Sequence, residues 1–420
     1  MLYDLRVCAV VVLLLVSLCG PVAAQGEARF LAAAEGDLVA DSLTAPLGLK
    51  AASVPRESVT FSWALDAAEA LDLAAAPLSV ESKEYRLEVT AAELGRGVAV
   101  VTGGPGALVR LNPAPGGPVS GGKAMLPIDP AGLALTDPAG KVWTAGSGME
   151  LIASADKLRA AGAPFVEGTA AFRIRADLGA GVFTLRAAGL DGEARYVLQV
   201  LDRASSVSLR LTTLSADYLH GQELRLEAVL LDGEAAVAKA RFDGYVTSPA
   251  GRAWPVTFEP LDGGRLAARL ALDGLEAPSE GLWEAHVAAH SLRKGGAVMR
   301  SARVPFHVAV PSARFDGEAA LSAADGLGVR LGVEAASASR YEVRGILFGT
   351  AADGRLLPAA VAHSAAWLEP GHGRLELVFD RAAVEASGLA APFEVRDLRL
   401  VDQGTMGLLH RQARGLVLGK

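Results

Sequence analysis

Two histidines spaced four residues apart, His286 and His290, are the side chains in this sequence best suited to hold a metal ion. On a helix this spacing would place both imidazoles on one face, as in zinc peptidases, but Val287 stands where their general-base glutamate would be. The neighbouring residues alternate as in a strand, so Glu284, His286 and His290 would face solvent together. We interpret the pair as part of a solvated strand face, with a surface metal pair as the alternative. We predict no catalytic residue, no cofactor and no established metal site.

A glycine-rich segment, Gly117–Ala124, has the spacing of a phosphate-binding loop, G-x-x-x-x-G-K, but ends in alanine. The hydroxyl group that would bind Mg²⁺ is therefore missing, and Pro127 and Pro130 are incompatible with the helix that should follow. The segment is interpreted as a turn between strands.

The chain contains the residue types that hydrolases use for catalysis, but it contains no hydrolase sequence motif. His363, Ser364 and Asp353 would supply a serine-hydrolase triad, yet no G-x-S-x-G turn is present. Carboxylate pairs for glycoside hydrolysis occur in any chain with 47 acidic residues, and the sequence does not give their separation. A calcium site would need ligands from separate loops, because there is no D-x-[DN]-x-[DN]-G loop.

Aromatic and basic residues are the side chains that could bind a sugar or a polyanion. Tryptophan occurs at five positions, which are Trp63, Trp143, Trp254, Trp283 and Trp367. Each has apolar neighbours, which favours burial in a core, and Trp143 beside Lys141 is the least clearly buried. The C-terminal group of His410, Arg411 and Arg414 is too sparse to predict a polyanion groove. The net charge of −7 excludes a strong electrostatic attraction to nucleic acid.

Residues 1–24 predict a signal peptide. The apolar run Val7–Leu18 follows Arg6, and small residues precede a cleavage site at Gln25. The run is shorter than the roughly 20 residues that span a bilayer. We therefore expect an exported protein, periplasmic or extracellular, without a transmembrane segment in the mature chain.

Cysteine occurs at Cys8 and Cys19, both inside the predicted signal peptide. The mature chain would then lack a disulfide and a thiolate metal site, so burial alone would hold its domains together.

Apolar and polar residues alternate with a period of two from Lys83 onward, as in strands with one buried face. Examples are Leu209 and Leu211, and Val329, Leu331 and Val333. Asp-Gly pairs, which favour hairpin turns, begin at positions 191, 232, 243, 262, 273, 316, 325 and 353. Helical patterns are confined to Met149–Ala161 and Asp380–Ser387. The hydrophobic fraction of 51% excludes a disordered chain.

The sequence predicts an all-β fold, with tandem immunoglobulin-like β-sandwich domains behind a β-rich N-terminal domain. The order is a signal peptide, an extended leader that packs on the next domain, the N-terminal domain and two sandwiches. Their bounds are 1–24, 25–82, 83–203, 206–312 and 314–418. Trp283 is expected to be buried at the start of a late strand of the first immunoglobulin-like sandwich.

Several stretches spread over most of the mature chain resemble one protein family. They are Val59–Leu65, Glu81–Tyr85, Gly104–Pro113, Ala160–Pro164, Gly179–Leu185, Gly345–Thr350, His363–Trp367 and Asp397–Asp402. The family that they resemble is the uncharacterised, secreted proteobacterial domain-of-unknown-function family DUF4785. The resemblance implies an N-terminal β-rich domain followed by immunoglobulin-like modules, and it implies no activity and no site residues.

The sequence is compatible with two kinds of function. The first is a non-catalytic binding or structural protein of the cell envelope or exterior, with a protein or a glycan as its partner and no nucleic acid. It is favoured by the export signal and by a fold that presents loops for recognition. The alternative is a secreted hydrolase, or an accessory module of one, directed at carbohydrate and using dispersed acidic residues.

Overall fold

A computed structural model describes residues 27–46, 52–73, 77–114, 128–153, 168–190, 194–273, 281–293, 296–322 and 325–419. The predicted signal peptide, both cysteines and the glycine-rich segment Gly117–Ala124 lie outside the described residues. Strands dominate the described ranges and pack as β-sandwiches, which confirms the all-β prediction.

The leader contributes strands that belong to sheets far along the chain. Its strands are β1 (Ala28–Phe30), β2 (Val59–Ala64) and β3 (Leu78–Ser82).

The first sandwich encloses a core that includes Tyr85, Phe172 and Phe183. Its strands are β4 (Glu84–Thr90), β5 (Val98–Thr102), β6 (Leu108–Pro113), β7 (Leu133–Thr136), β8 (Val142–Thr144), β9 (Met149–Ala153), β10 (Ala170–Ile174), β11 (Gly181–Ala187) and β12 (Arg195–Leu201). One sheet has the order β4-β12-β6-β10-β9, and the other has the order β5-β11-β7-β8. Helix α1 (Ala91–Arg96) begins with a capping box between Thr90 and Glu93.

The helix predicted over Met149–Ala161 is wrong at its start. Met149–Ala153 forms β9, which pairs with β10, and the remainder of the segment lies outside the described residues. Pairing in the sheet buries Met149 in the core of the first sandwich, so tertiary contacts override the local helical pattern.

The middle sandwich encloses Trp283, which is 1% exposed and begins its strand as predicted. Its strands are β13 (Val207–Thr213), β14 (Asp217–Leu219), β15 (Glu223–Asp232), β16 (Ala235–Ala236), β17 (Arg241–Thr247), β18 (Ala253–Val256), β19 (Glu259–Pro260), β20 (Leu266–Ala271), β21 (Trp283–Arg293) and β22 (Gly296–Ala309). One sheet runs β19-β20-β15-β13-β3, with β16 paired to β15, and the other runs β14-β22-β21-β17-β18.

The C-terminal sandwich buries Val329, Leu331 and Val333, the inward half of a predicted alternation. Its strands are β23 (Ala313–Ser322), β24 (Gly326–Ala335), β25 (Ser339–Thr350), β26 (Leu356–Leu368), β27 (Gly371–Asp380), β28 (Ala390–Asp402) and β29 (Gly407–Leu418). Sheets run β1-β29-β28-β25-β26-β2 and β23-β24-β27. Helix α2 (Arg381–Ala386), capped by Asp380, confirms the helix predicted there.

The described strands of the leader pair with later sandwiches and not with strands of the first sandwich, on which the leader was expected to pack. Strands β1 and β2 instead pair with β29 and β26 and so form both edges of the larger C-terminal sheet, while β3 pairs with β13 of the middle sandwich. The physical reason is that the edges of a sheet carry unpaired backbone groups, and an added strand satisfies one row of them.

The Asp-Gly pairs divide between turns and strands. Asp232-Gly233 and Asp353-Gly354 lie at turns, as predicted, but Asp243-Gly244 lies inside β17. A Cβ atom at Gly244 would lie 2.8 Å from the Phe258 ring and 3.0 Å from the His286 carbonyl oxygen. Glycine is therefore needed here for close backbone approach rather than for a turn.

A buried ion pair joins the first and middle sandwiches. Asp202 follows β12, Arg300 lies on β22, and both side chains are fully buried with 2.8 Å between Oδ2 and Nη2. The Asp202 carboxylate also accepts hydrogen bonds from the backbone of Gly103 and Gly104, and Arg300 Nε donates to the Val207 carbonyl oxygen. These bonds satisfy charges that burial would otherwise penalise.

Arg300→Met should destabilise the protein by about 3–5 kcal/mol, because it leaves the Asp202 carboxylate buried without its cation. Chemical denaturation followed by circular dichroism measures this loss. Arg269→Met is the matched control, since its partner is Glu223 in an exposed pair, and it should change the unfolding midpoint little. Equal effects of the two variants would contradict the structural role assigned to Arg300.

His410 should make the C-terminal sandwich sensitive to acid. Burial lowers the pKa of His410 from 6.5 to about 4, although Gln412 and Asp37 act in the opposite direction. The unfolded chain then binds a proton that the folded chain excludes, so stability is intact above about pH 6.5 and falls by about 3 kcal/mol as the pH approaches 4. Thermal unfolding between pH 7 and 4 should show a shallower pH slope for His410→Gln than for the wild type. Arg225→Gln, at an exposed position on the middle sandwich, should keep the wild-type slope, and identical slopes for all three proteins would contradict the assignment.

Candidate functional site

A cleft of about 1010 Å³ lies between the first and middle sandwiches. One wall comes from β4 and β12, and the other comes from β17, β18, β21 and β22. The backbone N–H of Arg86 donates to Ser301 Oγ at 3.1 Å, which joins the two walls. The position of the cleft therefore depends on how the two sandwiches are held together.

The middle-sandwich wall presents an aromatic ring to the cleft. Tyr245 on β17 lies directly opposite His286 on β21, and residues opposed in this way share a face of the sheet. Their rings stack with centroids 4.7 Å apart and an interplanar angle of 11°. Tyr245 remains 46% exposed, so much of its ring is accessible to a ligand.

Both rings are uncharged near neutral pH. Burial lowers the pKa of His286, and Arg303 and Arg86 lower it further, while Glu284 opposes them. Burial also raises the pKa of Tyr245, assisted by Glu284 and Glu88, so its hydroxyl group keeps its proton. Near pH 7 the stack therefore offers an apolar ring face together with a neutral hydroxyl group that donates or accepts a hydrogen bond.

The charged groups in and beside the cleft are arranged as ion pairs. The nitrogen–oxygen distances are 3.1 Å for Arg86–Glu84, 2.9 Å for Arg195–Glu88, 3.1 Å for Arg303–Glu284 and 3.0 Å for Arg241–Asp243. The lining of the cleft is therefore rich in hydrogen-bonding groups, and its acidic and basic side chains are equal in number. Such a site suits a polar ligand that carries little net charge.

The structure does not bring His286 and His290, the alternative metal pair, within reach of one ion. Four residues along a strand correspond to about 13 Å, so His286 and His290 on β21 are too far apart to share one ion. His286 Nε2 instead lies 3.1 Å from Thr247 Oγ1 and 3.3 Å from a Glu284 carboxylate oxygen. Within the described ranges, no group of three or more His, Cys, Asp or Glu side chains is arranged to hold a metal ion.

The residues of the hypothetical serine-hydrolase triad are also separated. His363 and Ser364 are successive residues of β26, so their side chains point to opposite faces of the sheet. His363 Nδ1 lies 2.8 Å from Glu342 Oε1, and Ser364 Oγ lies 2.6 Å from Thr60 Oγ1. Asp353 pairs with its neighbour Arg355 in a turn.

The expected burial of the tryptophans holds for Trp283 but not for Trp63, which is 47% exposed on β2. Trp143 is half-buried, with its indole N–H donating to Asp137 and the Lys141 ammonium group 3.9 Å from the ring centroid. The most exposed tryptophan is therefore one that has apolar neighbours in sequence but lies on the outward side of an edge strand.

Tyr245 was not predicted as a site residue. Its neighbours Asp243 and Gly244 resemble a turn in sequence, and its contact with His286 depends on strand register. The alternation that places His286 on the outward face of β21 was the available signal.

None of the helices in the described part of the chain combines the length and apolar character required to cross a membrane.

Two sequence profiles of one family match the chain. Residues 50–202 match the profile described as the domain of unknown function (DUF4785) N-terminal domain, and residues 312–419 match that of the DUF4785 C-terminal domain. Together the matches cover more than half of the sequence. No curated protein matches the chain.

Among solved structures, this chain is similar to a DUF4785 family protein from Legionella pneumophila subsp. pneumophila str. Philadelphia 1. The similarity covers 90% of this chain and 98% of the other, with a TM-score of 0.71 and 21% sequence identity, and it supports the fold. A tetra-tandem repeat from the extending region of a large adhesion protein covers 87% of this chain and 82% of its own, with a TM-score of 0.20 and 14% identity. The match to Escherichia coli alpha-2-macroglobulin covers 86% of this chain and 33% of the other, with a TM-score of 0.23 and 11% identity.

Proposed function

The chain belongs to the DUF4785 family, and we propose that it is an exported, non-catalytic binding protein of the cell envelope or exterior. Its ligand is a segment of an uncharged glycan, held in the cleft between the first and middle sandwiches. The observation that carries this proposal is the Tyr245–His286 stack, which offers a half-exposed ring within a concave and charge-balanced lining.

The chemistry of a glycan matches the cleft on two counts. Sugar rings have apolar faces that pack on aromatic side chains, and Tyr245 supplies such a ring together with a hydroxyl group. Sugar hydroxyl groups exchange hydrogen bonds with carboxylates and guanidinium groups, which line both walls. The balance of acidic and basic groups favours a ligand without net charge.

The arrangement of the acids supports binding rather than hydrolysis. Glycoside hydrolysis requires one carboxylic acid that donates a proton to the leaving group. Glu84, Glu88 and Asp243 in the cleft instead each contact a guanidinium group. Export is supported by the apolar segment and cleavage site in residues 1–24.

Tyr245→Ala should weaken glycan binding at least about 10-fold, equivalent to about 1.4 kcal/mol, because it removes the ring on which the sugar packs. A panel of neutral and anionic oligosaccharides identifies the ligand of the chain without its signal peptide, and calorimetry then measures affinity. Tyr245→Phe should retain most of the binding, since it keeps the ring and loses only the hydroxyl group.

The matched control is Leu292→Ala, a truncation of a highly exposed side chain on β21, which should bind as the wild type does. Thermal unfolding confirms that each variant is folded. The proposal is refuted if the wild type binds no neutral glycan in the panel, or if Tyr245→Ala binds as tightly as Leu292→Ala.

Cell fractionation tests the proposed location. The mature form, beginning near Gln25, should be recovered from the periplasm or the medium of the producing cell, with immunodetection and N-terminal sequencing as the readout. Recovery of an unprocessed chain from the cytoplasm alone would contradict export.

A further inference from the structure

The outward face of the larger C-terminal sheet carries a row of side chains that crosses five strands. Phe61 on β2 lies opposite His363 on β26, which lies opposite Arg344 on β25. Arg344 in turn lies opposite Arg399 on β28, which lies opposite Arg411 on β29. Directly opposed residues share one face of a sheet, so these five side chains form a line about 19 Å long.

The β2 end of this row is aromatic and exposed. The Phe61 and His363 rings have centroids 5.1 Å apart at an interplanar angle of 6°, and Trp63 stacks on the same imidazole at 5.4 Å. Phe61 and Trp63 are each nearly half exposed. Glu342 fixes the imidazole through a contact of 2.8 Å to His363 Nδ1. The rings are therefore held in nearly parallel planes while part of each remains open to a ligand.

The β28–β29 end of the row is basic. The buried Asp397 carboxylate contacts Arg344 at 2.5 Å, Arg399 at 2.9 Å and Arg411 at 3.3 Å. Arg411 also donates to the Leu73 carbonyl oxygen of the leader, which borders the row. Three positive charges thus surround one negative charge, and each of the three arginine side chains keeps roughly a quarter to a third of its surface exposed.

A second carboxylate on this face is also shared by more than one arginine. Glu394 contacts Arg396 at 2.9 Å and Arg414 at 2.7 Å. Burial acts to raise the pKa of Glu394, but the hydrogen bonds from the two guanidinium groups outweigh it and lower the pKa overall. The carboxylate is therefore charged at neutral pH. Together, five guanidinium groups share the two carboxylates of Asp397 and Glu394, and with Glu342 beside His363 the face carries three carboxylates against these five positive charges.

Asp397 adopts an uncommon backbone conformation, with φ at +46°. It lies where the register between β25 and β28 shifts, between the Arg344–Arg399 and Ile346–Arg396 pairs. Side chains other than glycine seldom occupy this region, which the surrounding structure must impose. The backbone thus places a carboxylate where it contacts arginines from three strands.

We propose that this row is a docking surface for an anionic polysaccharide. Its sugar rings pack on Phe61 and Trp63, and its carboxylate groups pair with Arg344, Arg399 and Arg411. Guanidinium groups bind carboxylates through two parallel hydrogen bonds, and the excess of positive charge complements a polyanion. The proposal is independent of the cleft, which lies between the other two sandwiches and has a balanced lining.

Polysaccharide fits this surface better than a lipid bilayer does. The two exposed aromatic side chains stand in a strand and stack on His363, so they offer ring surface for packing rather than a flexible anchor for insertion. The arginines follow them along the same row, which suits a linear ligand that packs a ring face on one end of the row and pairs carboxylate groups with the other.

Binding to polygalacturonate, with uncharged dextran as the reference polymer, tests the proposal. The doubly substituted variant Arg344→Gln/Arg399→Gln should weaken polygalacturonate binding at least 10-fold, and raising the salt concentration should weaken wild-type binding because it screens exposed charges. The matched control is Arg225→Gln/Arg269→Gln, which removes two exposed arginines that share Glu223 on the middle sandwich and should bind as the wild type does.

A second variant keeps the test valid if loss of the arginines disturbs the sheet. Phe61→Ala/Trp63→Ala truncates exposed rings and should weaken polygalacturonate binding several-fold without loss of folded structure by circular dichroism. Vesicles of phosphatidylglycerol and phosphatidylcholine provide the competing surface. Absence of polygalacturonate binding, equal binding by the row and control variants, or tighter binding to vesicles with the same dependence on Arg344 and Arg399 would each overturn the proposal.

Discussion

The buried pair of Asp202 and Arg300 is the interaction on which the geometry of the first two sandwiches depends. Removing two charges from water is unfavourable unless every remaining donor and acceptor is satisfied, and here the backbone of Gly103 and Gly104 completes the set. Cβ atoms at these glycines would lie 2.7 Å from Ser205 Oγ and 2.6 Å from the Ala204 carbonyl carbon. The loop that contains Gly103 and Gly104 therefore packs closely against Ala204 and Ser205. As a result, the two walls of the neighbouring cleft have a fixed relative position before a ligand binds.

A similar arrangement recurs at the junction between the middle and C-terminal sandwiches, where Ser312 lies between β22 and β23. Asp402 at the end of β28 accepts hydrogen bonds from Ser312, Ser339 and the backbone of Gly404, and it is buried. Both junctions therefore place an aspartate just at or after the end of a strand, where it gathers donors from the neighbouring connection. The leader adds a further link, since its strands pair with both the middle and the C-terminal sandwiches.

Strand periodicity was readable from the sequence because burial of one face imposes it residue by residue, as in Val329, Leu331 and Val333. The family resemblance could also be recognised from the sequence, because it depends on short local stretches, and the two family profiles confirm it. The cleft and the leader pairing were not predictable, because they depend on which strands become neighbours. Tyr245 meets His286 through the register of β17 with β21, and Phe61 meets His363 through the pairing of strands about 300 residues apart. No local pattern encodes such a register.

The basic row shows why composition can mislead about a surface. The chain as a whole carries a net charge of −7, and the C-terminal basic residues were too sparse to predict a groove. Two of them, Arg411 and Arg414, join three arginines from β25 and β28, whereas His410 is buried against Phe315. Like charges placed directly opposite each other in a sheet are destabilising, and the row opposes Arg344, Arg399 and Arg411 in succession. Asp397 offsets part of this repulsion in an uncommon backbone conformation, and a positive excess remains. Each of these arginines contacts the buried Asp397 carboxylate, so the sheet keeps them despite their mutual repulsion, and the positive excess that remains is what the proposed anionic ligand would neutralise.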